Sequence, residues 1–237
     1  MAKTLIRKNN TKAHTGILIG LLIIGLWFAL LNFNLSFYQV DYTSPWTYLL
    51  ILLQGHLYTG LFITAHDAMH GTVAPHNQKL NHFIGRLCTL LFMFNSYKTL
   101  FPKHHEHHAH AGTHEDPDFH KGNPNFWVWF FNFAKEYVTI WQILAAAVTF
   151  NLLKLVLPTE NLILFWIVPS FLAMLQLFFF GTYLPHRGEH EADNPHHARS
   201  QKRNHAVAFL SCYFFGYHYE HHDSPGTPWW RLWEKKG

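Results

Sequence analysis

Three histidine clusters border apolar stretches of membrane length: His66-Asp67-Ala68-Met69-His70, His104-His105-Glu106-His107-His108 and His218-Tyr219-Glu220-His221-His222. Read as HxxxH, HxxHH and HxxHH, they supply eight imidazoles at helical spacing. Residues at i, i+3 and i+4 share one face of a helix, so each cluster presents its nitrogens in one direction. Three such faces turned to a common centre hold two metal ions. Imidazole suits iron, zinc, copper and nickel. A structural zinc site closes at four ligands, and this donor set exceeds one such shell. Two redox-active irons with open positions would activate O2, which a closed zinc site does not. A lone histidine beside a membrane segment reads as an interfacial polar residue. Three related clusters do not, because ionisable groups in that setting are costly and mark function by default.

Other side chains compete for roles around these clusters. His186, in Thr182-Tyr183-Leu184-Pro185-His186-Arg187, follows a long apolar run and is the best ninth ligand. The alternatives are His105, His110, His114, His190, His196, His197 and His205, which otherwise read as solvated or supporting residues. His56 precedes His66 by ten residues, roughly 15 Å at helical rise, and reads as a packing or pocket residue. Asp67, Glu106 and Glu220 punctuate the clusters, and Asp116 and Asp118 flank Pro117 just beyond the second. A ligating histidine donates its other N–H to a carboxylate or carbonyl. Asp116 and Asp118 are therefore the leading candidates to orient ligands, against a plain reading as surface charges.

Elements must deliver these residues to one place. The chain has 237 residues, one domain by length. It is 49% hydrophobic and only 14% charged, against about 25% charged in soluble domains. This composition predicts an integral membrane protein with a polar, histidine-rich face. Four apolar segments are long enough to cross about 30 Å of hydrocarbon: 16–37, 45–65, 137–157 and 161–184. Their short links at 34–44 and 157–160 imply two antiparallel helical hairpins. Segments 83–101 and 206–217 read as re-entrant or interfacial, as does the Phe- and Trp-rich stretch 126–133. The first run is read as a retained helix rather than a cleaved signal.

Charge sets an expected orientation. Lys3, Arg7, Lys8 and Lys12 place the N-terminus in the cytoplasm, and the links at 34–44 and 158–160 carry no Lys or Arg. Counting crossings then brings all three clusters to the cytoplasmic side. Cys88 and Cys212 form no CxxC pair and lie in apolar runs, so they read as free buried thiols. With a net charge of +4 and dispersed bases, nucleic-acid binding is excluded. There is no nucleotide-binding fingerprint either, so reducing equivalents come from outside. Arg199, Lys202, Arg203, Arg231, Lys235 and Lys236 would attract an acidic donor, or simply express the positive-inside bias.

HDAMHG (66–71), HHEHH with the following GTHEDPDFH (112–120), TYLPHR (182–187), YHYEHH (217–222) and PWWRLW (228–233) resemble the beta-carotene ketolases. The likeness runs from the second apolar segment to the C-terminus. The histidine boxes alone are shared across the wider membrane fatty-acid desaturase and hydroxylase superfamily, whereas the other motifs are narrower. The resemblance implies an all-α membrane protein, one desaturase-like domain over 1–237, with about four transmembrane helices in two hairpins. A cytoplasmic histidine-rich helical cap would hold a di-iron site. Carried over by motif, the ligands are His66, His70, His104, His107, His108, His218, His221 and His222, with His186 as the additional histidine.

The implied activity is O2-dependent ketolation of beta-ionone rings at C4 and C4′, taking beta-carotene to echinenone and then canthaxanthin. Two hydroxylations at one allylic carbon give a geminal diol, which loses water to leave the ketone. The implied cofactors are two Fe ions, with O2 as co-substrate. The implied partners are a carotenoid drawn from the bilayer and a soluble donor such as reduced ferredoxin. A carotenoid hydroxylase or an acyl-lipid desaturase or hydroxylase would share the boxes. A membrane metal transporter is the alternative of another class, although it would place its ligands near the bilayer midplane.

Overall fold

The computed structural model describes the backbone from residue 2 and side chains from residue 14 to residue 237. Lys3, Arg7, Lys8 and Lys12, on which the expected orientation leans, have side chains outside the described residues. The described residues are helical, with no strand among them. Helix α1 (Ala2–Ser36) and α2 (Pro45–Met69) form the first hairpin, followed by α3 (Gln78–Leu91) and α4 (Tyr97–His110). Next come α5 (Phe126–Tyr137), α6 (Ile140–Leu153) and the long α7 (Thr159–His186). The chain closes with α8 (His205–Cys212), α9 (His218–Asp223) and α10 (Trp229–Leu232).

The helix starts are written in the sequence. The side chains of Ser44, Asn77, Ser96, Asn125 and Asn204 each accept a backbone N–H at the head of α2, α3, α4, α5 and α8. They satisfy donors that a helix leaves open in its first turn. Pro45 at the first position of α2 has no N–H to satisfy.

Helix α2 is the central post. It packs against α1, α3 and α7 and is buried through its second half, from Tyr58 to Met69, except at Phe62. Leu61, Ile63, Ala65, Ile84, Leu162 and Phe165 are among the side chains closing this core. By length and composition, 14–36, 45–69 and 159–186 can each cross a membrane. The outer faces of these helices expose Leu18, Leu22, Leu52 and Ile163, as a lipid-facing surface does.

The expected third span, 137–157, is not one helix. Val138 is extended, and α5 and α6 meet at 83°. The break has a local cause: the Thr139 hydroxyl accepts the Gln142 backbone N–H at the head of α6, and the Gln142 side-chain oxygen accepts the Thr139 backbone N–H. A helix therefore begins inside an apolar run that composition alone reads as continuous. With its 14 residues, α6 is about 21 Å long. It buries no side chain among the described residues.

The fourth span is continuous but carries two π-helical turns, 163–167 and 179–183. Such turns recur at functional sites, and the second leads into His186. The segment 83–101 is two helices: α3 ends at Leu91, and Met93 and Phe94 adopt left-handed φ of 52° and 60°. That bend redirects the chain so that α4 carries the second cluster toward the first.

Candidate metal centre

The C-terminal turns of α2, α4 and α7 converge on α9. Each brings histidines: His66 with His70 as the cap of α2; His104, His107 and His108 on α4; His186 at the end of α7; and His218, His221 and His222 on α9. Exposed carbonyls give a helix C-terminus negative potential, which favours a cation. Pro102 sits inside α4, two residues ahead of His104.

The imidazoles fall into two groups. His66, His70, His104, His108 and His221 form one; His107, His186, His218 and His222 form the other. Within each group the candidate ligand nitrogens all lie within 4.8 Å of one another. The Nε2 atoms face one another directly: His66 to His221 at 3.1 Å, His70 to His104 at 2.7 Å, and His108 to His221 at 3.0 Å. In the second group His222 Nε2 stands 3.1 Å from His107 Nε2 and 3.0 Å from His218 Nε2. Imidazole nitrogens about 2.1 Å from one ion stand about 3 Å apart at right angles. The spacing therefore fits a shell of nitrogen donors around each of two ions. His108 and His222 stack across the boundary at 4.3 Å, so the two groups adjoin.

The far sides of the rings fix which nitrogen is bare. His107 Nδ1 lies 2.9 Å and 3.0 Å from the two carboxylate oxygens of Asp116. It donates there, leaving Nε2 as the free lone pair. His186 Nδ1 donates to the His197 carbonyl at 2.8 Å, and its Nε2 is buried without a partner. A buried unpaired acceptor is costly; an ion among His107, His218 and His222 would satisfy it. His66 Nδ1 lies 3.4 Å from Asp67, whose other oxygen accepts the Trp229 backbone N–H at 2.8 Å.

Electrostatics keep most of the set neutral. Burial, reinforced by neighbouring imidazoles, pulls His104, His218, His221 and His222 well below the ordinary histidine range. His70 falls to about 4 and His108 to about 2 for the same reasons. His107 differs. Burial pushes it down, but the Asp118 and Asp116 carboxylates outweigh this and raise it. Neutral imidazole is the form that binds metal.

The remaining sequence candidates separate. Asp116 is buried and also accepts the backbone N–H groups of Gly112 and Asp118. Asp118 stands farther from His107, at 3.8 Å, and is held by the Tyr137 hydroxyl. Burial, with the neighbouring Asp116 charge, lifts Asp118 to about 6. Glu106 and His105 are exposed, and Glu220 is engaged by Ser200 and Lys236. His56 packs rather than ligates, stacked on Tyr213 at 4.3 Å. Both cysteines are free and buried. Tyr137 went unnoticed in the sequence, where it only opens an apolar run.

A cavity of about 300 Å³ leads to this centre. Its walls are apolar, with Phe62, Phe92, Met93, Phe171 and Met174 among them, and α6 forms one side through Ile143 and Ala146. Its inner end is lined by His66, His104, His107, His218 and Asp118. This is the usual form of a ligand site, mostly apolar with a few convergent polar groups.

The sequence profile described as fatty acid desaturase matches residues 43–140 and 133–236. The beta-carotene ketolase of Paracoccus sp. (strain PC1) is 40% identical over 234 residues, covering 95% of each chain. The chain belongs to the fatty acid desaturase family, and within it to the ketolase group. The zeaxanthin 4-ketolase of Chlamydomonas reinhardtii is 41% identical over 92% of this chain and 52% of its own length. The beta-carotene 4-ketolase 3 of Haematococcus lacustris is 42% identical over 74% of this chain and 58% of its own. The chain thus spans about half the length of the algal relatives it matches. All the histidines of both groups fall within the segments matched by the desaturase profile.

Proposed function

We propose that this desaturase-family chain is an oxidoreductase that ketolates C4 and C4′ of beta-ionone rings, using O2 and two irons held by the two histidine groups. The observation that carries the proposal is the apolar cavity ending on both groups at once. The names of the ketolase relatives supply the substrate class and the carbon. Bound iron would supply the O2 chemistry, in the first group through His66, His70, His104, His108 and His221, and in the second through His107, His186, His218 and His222.

The chain's own residues do the rest. The phenyl and thioether walls accept a hydrocarbon that water does not dissolve, and they exclude water from the centre. They seat one end ring against the histidines, and this placement selects the carbon. Asp116 holds the Nδ1 proton of His107, so Nε2 stays directed inward. Each hydroxylation consumes one O2, two electrons and two protons and releases one water. A second hydroxylation at the same carbon gives the diol, and loss of water leaves the ketone. The electrons come from a soluble donor such as reduced ferredoxin. Lys202 and Arg203, on the loop before α8, and Lys235, in the 3-10 turn after α10, are exposed and offer it a basic landing surface. In the membrane this face, with the N-terminus, lies on the cytoplasmic side.

Expression in a host that accumulates beta-carotene tests the reading by pigment chromatography. Ketones at C4 and C4′ are expected. Alcohols alone would point to a hydroxylase, and unchanged pigment would sink the carotenoid assignment. Metal analysis should give two irons per chain, with loss of ketone when His107 or His221 becomes Ala.

A further inference from the structure

Phe215 stands at the inner end of the cavity, and its neighbours are the imidazoles themselves. Its ring meets His66 edge-on at 4.8 Å and His218 edge-on at 5.0 Å between centroids, and lies tilted against His221 at 5.5 Å. One side chain therefore touches both histidine groups and the cavity together. Two features hold it there. The residues just before it, Tyr213 and Phe214, adopt left-handed φ of 49° and 63°. That conformation is strained for bulky side chains and persists only where packing enforces it. The stack of Tyr213 on His56, tilted by only 15°, is part of that packing. Facing Phe215 across the cavity wall is Gly181, in the second π turn of α7. A Cβ built on Gly181 would overlap Phe215 Cε1 and come within 2.8 Å of Cδ1. The ring occupies the space that the missing methyl leaves.

We propose that Phe215 is the end-stop of the cavity and that Gly181 sets how far its ring withdraws, so that this pair fixes the seating depth of a substrate's terminal ring and thereby the carbon oxidised. The inference rests on the ring oxidation proposed above. In a ring joined to its polyene at C6, C3 lies farthest along the axis of entry and C4 one bond behind it. A methyl on Gly181 drives Phe215 into the cavity, seats the ring less deeply, and brings C3 to the depth that C4 held. Oxidation at C3 uses the same O2, electrons and protons, and stops at the alcohol if it occurs once.

The test compares the unsubstituted chain with Gly181→Ala, Phe215→Leu and the double substitution in a beta-carotene-accumulating host. Products are assigned by chromatography with mass and NMR spectra, and iron per chain is measured alongside. Gly181→Ala is expected to lower the ratio of C4 to C3 oxidation about tenfold, at the low end of what one methylene discriminates, with iron unchanged. In the double substitution the smaller leucine makes room for the methyl, and the ratio returns toward that of the unsubstituted chain. If Gly181→Ala does not accumulate, Phe215→Leu alone decides: deeper seating moves oxidation toward the methyl on C5. Variants that keep C4 selectivity and change only turnover would overturn the end-stop, as would product loss matched by iron loss. Absence of any C4 ketone from the unsubstituted chain sinks the ketolation reading, and the end-stop with it.

Discussion

At His107 the usable nitrogen is chosen from outside the histidine groups. Asp116 accepts the hydrogen bond of His107 Nδ1–H and is itself pinned by two backbone N–H groups. Asp116→Asn keeps the shape and removes the charge, so it should weaken iron binding about tenfold or more. Iron titration of the purified protein, followed by absorbance, measures this; unchanged affinity would make Asp116 a bystander. The neutral imidazoles make a second prediction. His70 titrates near 4 when folded against an ordinary 6.5, so the unfolded chain takes up the proton first. Stability of the metal-free protein is then fully present above about pH 6.5 and declines as pH falls toward 4. Thermal midpoints in detergent across that range should drop; a flat profile from pH 7 to 5 contradicts the prediction. Part of this site is legible without coordinates, because i, i+3, i+4 spacing declares a shared face. The clasp of Tyr137 on Asp118 is not, since it joins residues on separate elements across an apolar run.

Between elements, α3 packs closely on α2 beside the site. A Cβ on Gly85 would come within 2.9 Å of the Ala68 Cβ, between the first two histidines, and would overlap the Tyr97 ring. Gly85→Ala should therefore push α3 outward, at a cost of about 1–3 kcal/mol from overpacking. Chemical denaturation in detergent measures it. A gain in stability, as expected from removing a helical glycine alone, would show that the neighbours yield. The starts of α2 and α5 fall at the expected boundaries, 45 and 126, where Ser44 and Asn125 cap them; those of α3 and α4, capped by Asn77 and Ser96, were not read, because 83–101 reads as one apolar segment. The bend at Val138 and Thr139 was not read either, because the cap and its Gln142 partner lie within residues whose hydropathy argues for one unbroken span. The left-handed pairs at Met93–Phe94 and Tyr213–Phe214 were hidden for a similar reason. No glycine or asparagine occupies the left-handed positions themselves, and backbone hydrogen bonds such as Phe94 N–H to Leu90 O and Phe214 N–H to Ala208 O close the turns.

For the molecule as a whole, the expected two-hairpin arrangement would send the segment after α4 and the turn before α7 to opposite sides of a bilayer. Both native cysteines are buried, so an introduced thiol reports without background. Lys121→Cys should react with an impermeant maleimide from the cytoplasmic side, in inverted vesicles. Val156→Cys, at an exposed turn position, should react only from outside, in intact cells. Labelling of both from one face would rule out the two-hairpin arrangement.

Helix α6 walls one side of the cavity yet buries no side chain of its own. Nothing but lipid need separate that hollow from the hydrocarbon, while the opposite end is closed by Phe215 and the imidazoles beside it. Such a dead-end berth, opening sideways, takes a long symmetrical molecule one tip at a time. The modified tip has to back out into the acyl chains before its twin docks. Under the proposed ketolation, half-converted pigment would be a free species, traded among neighbouring catalysts, and its transient level should rise with substrate density in the membrane.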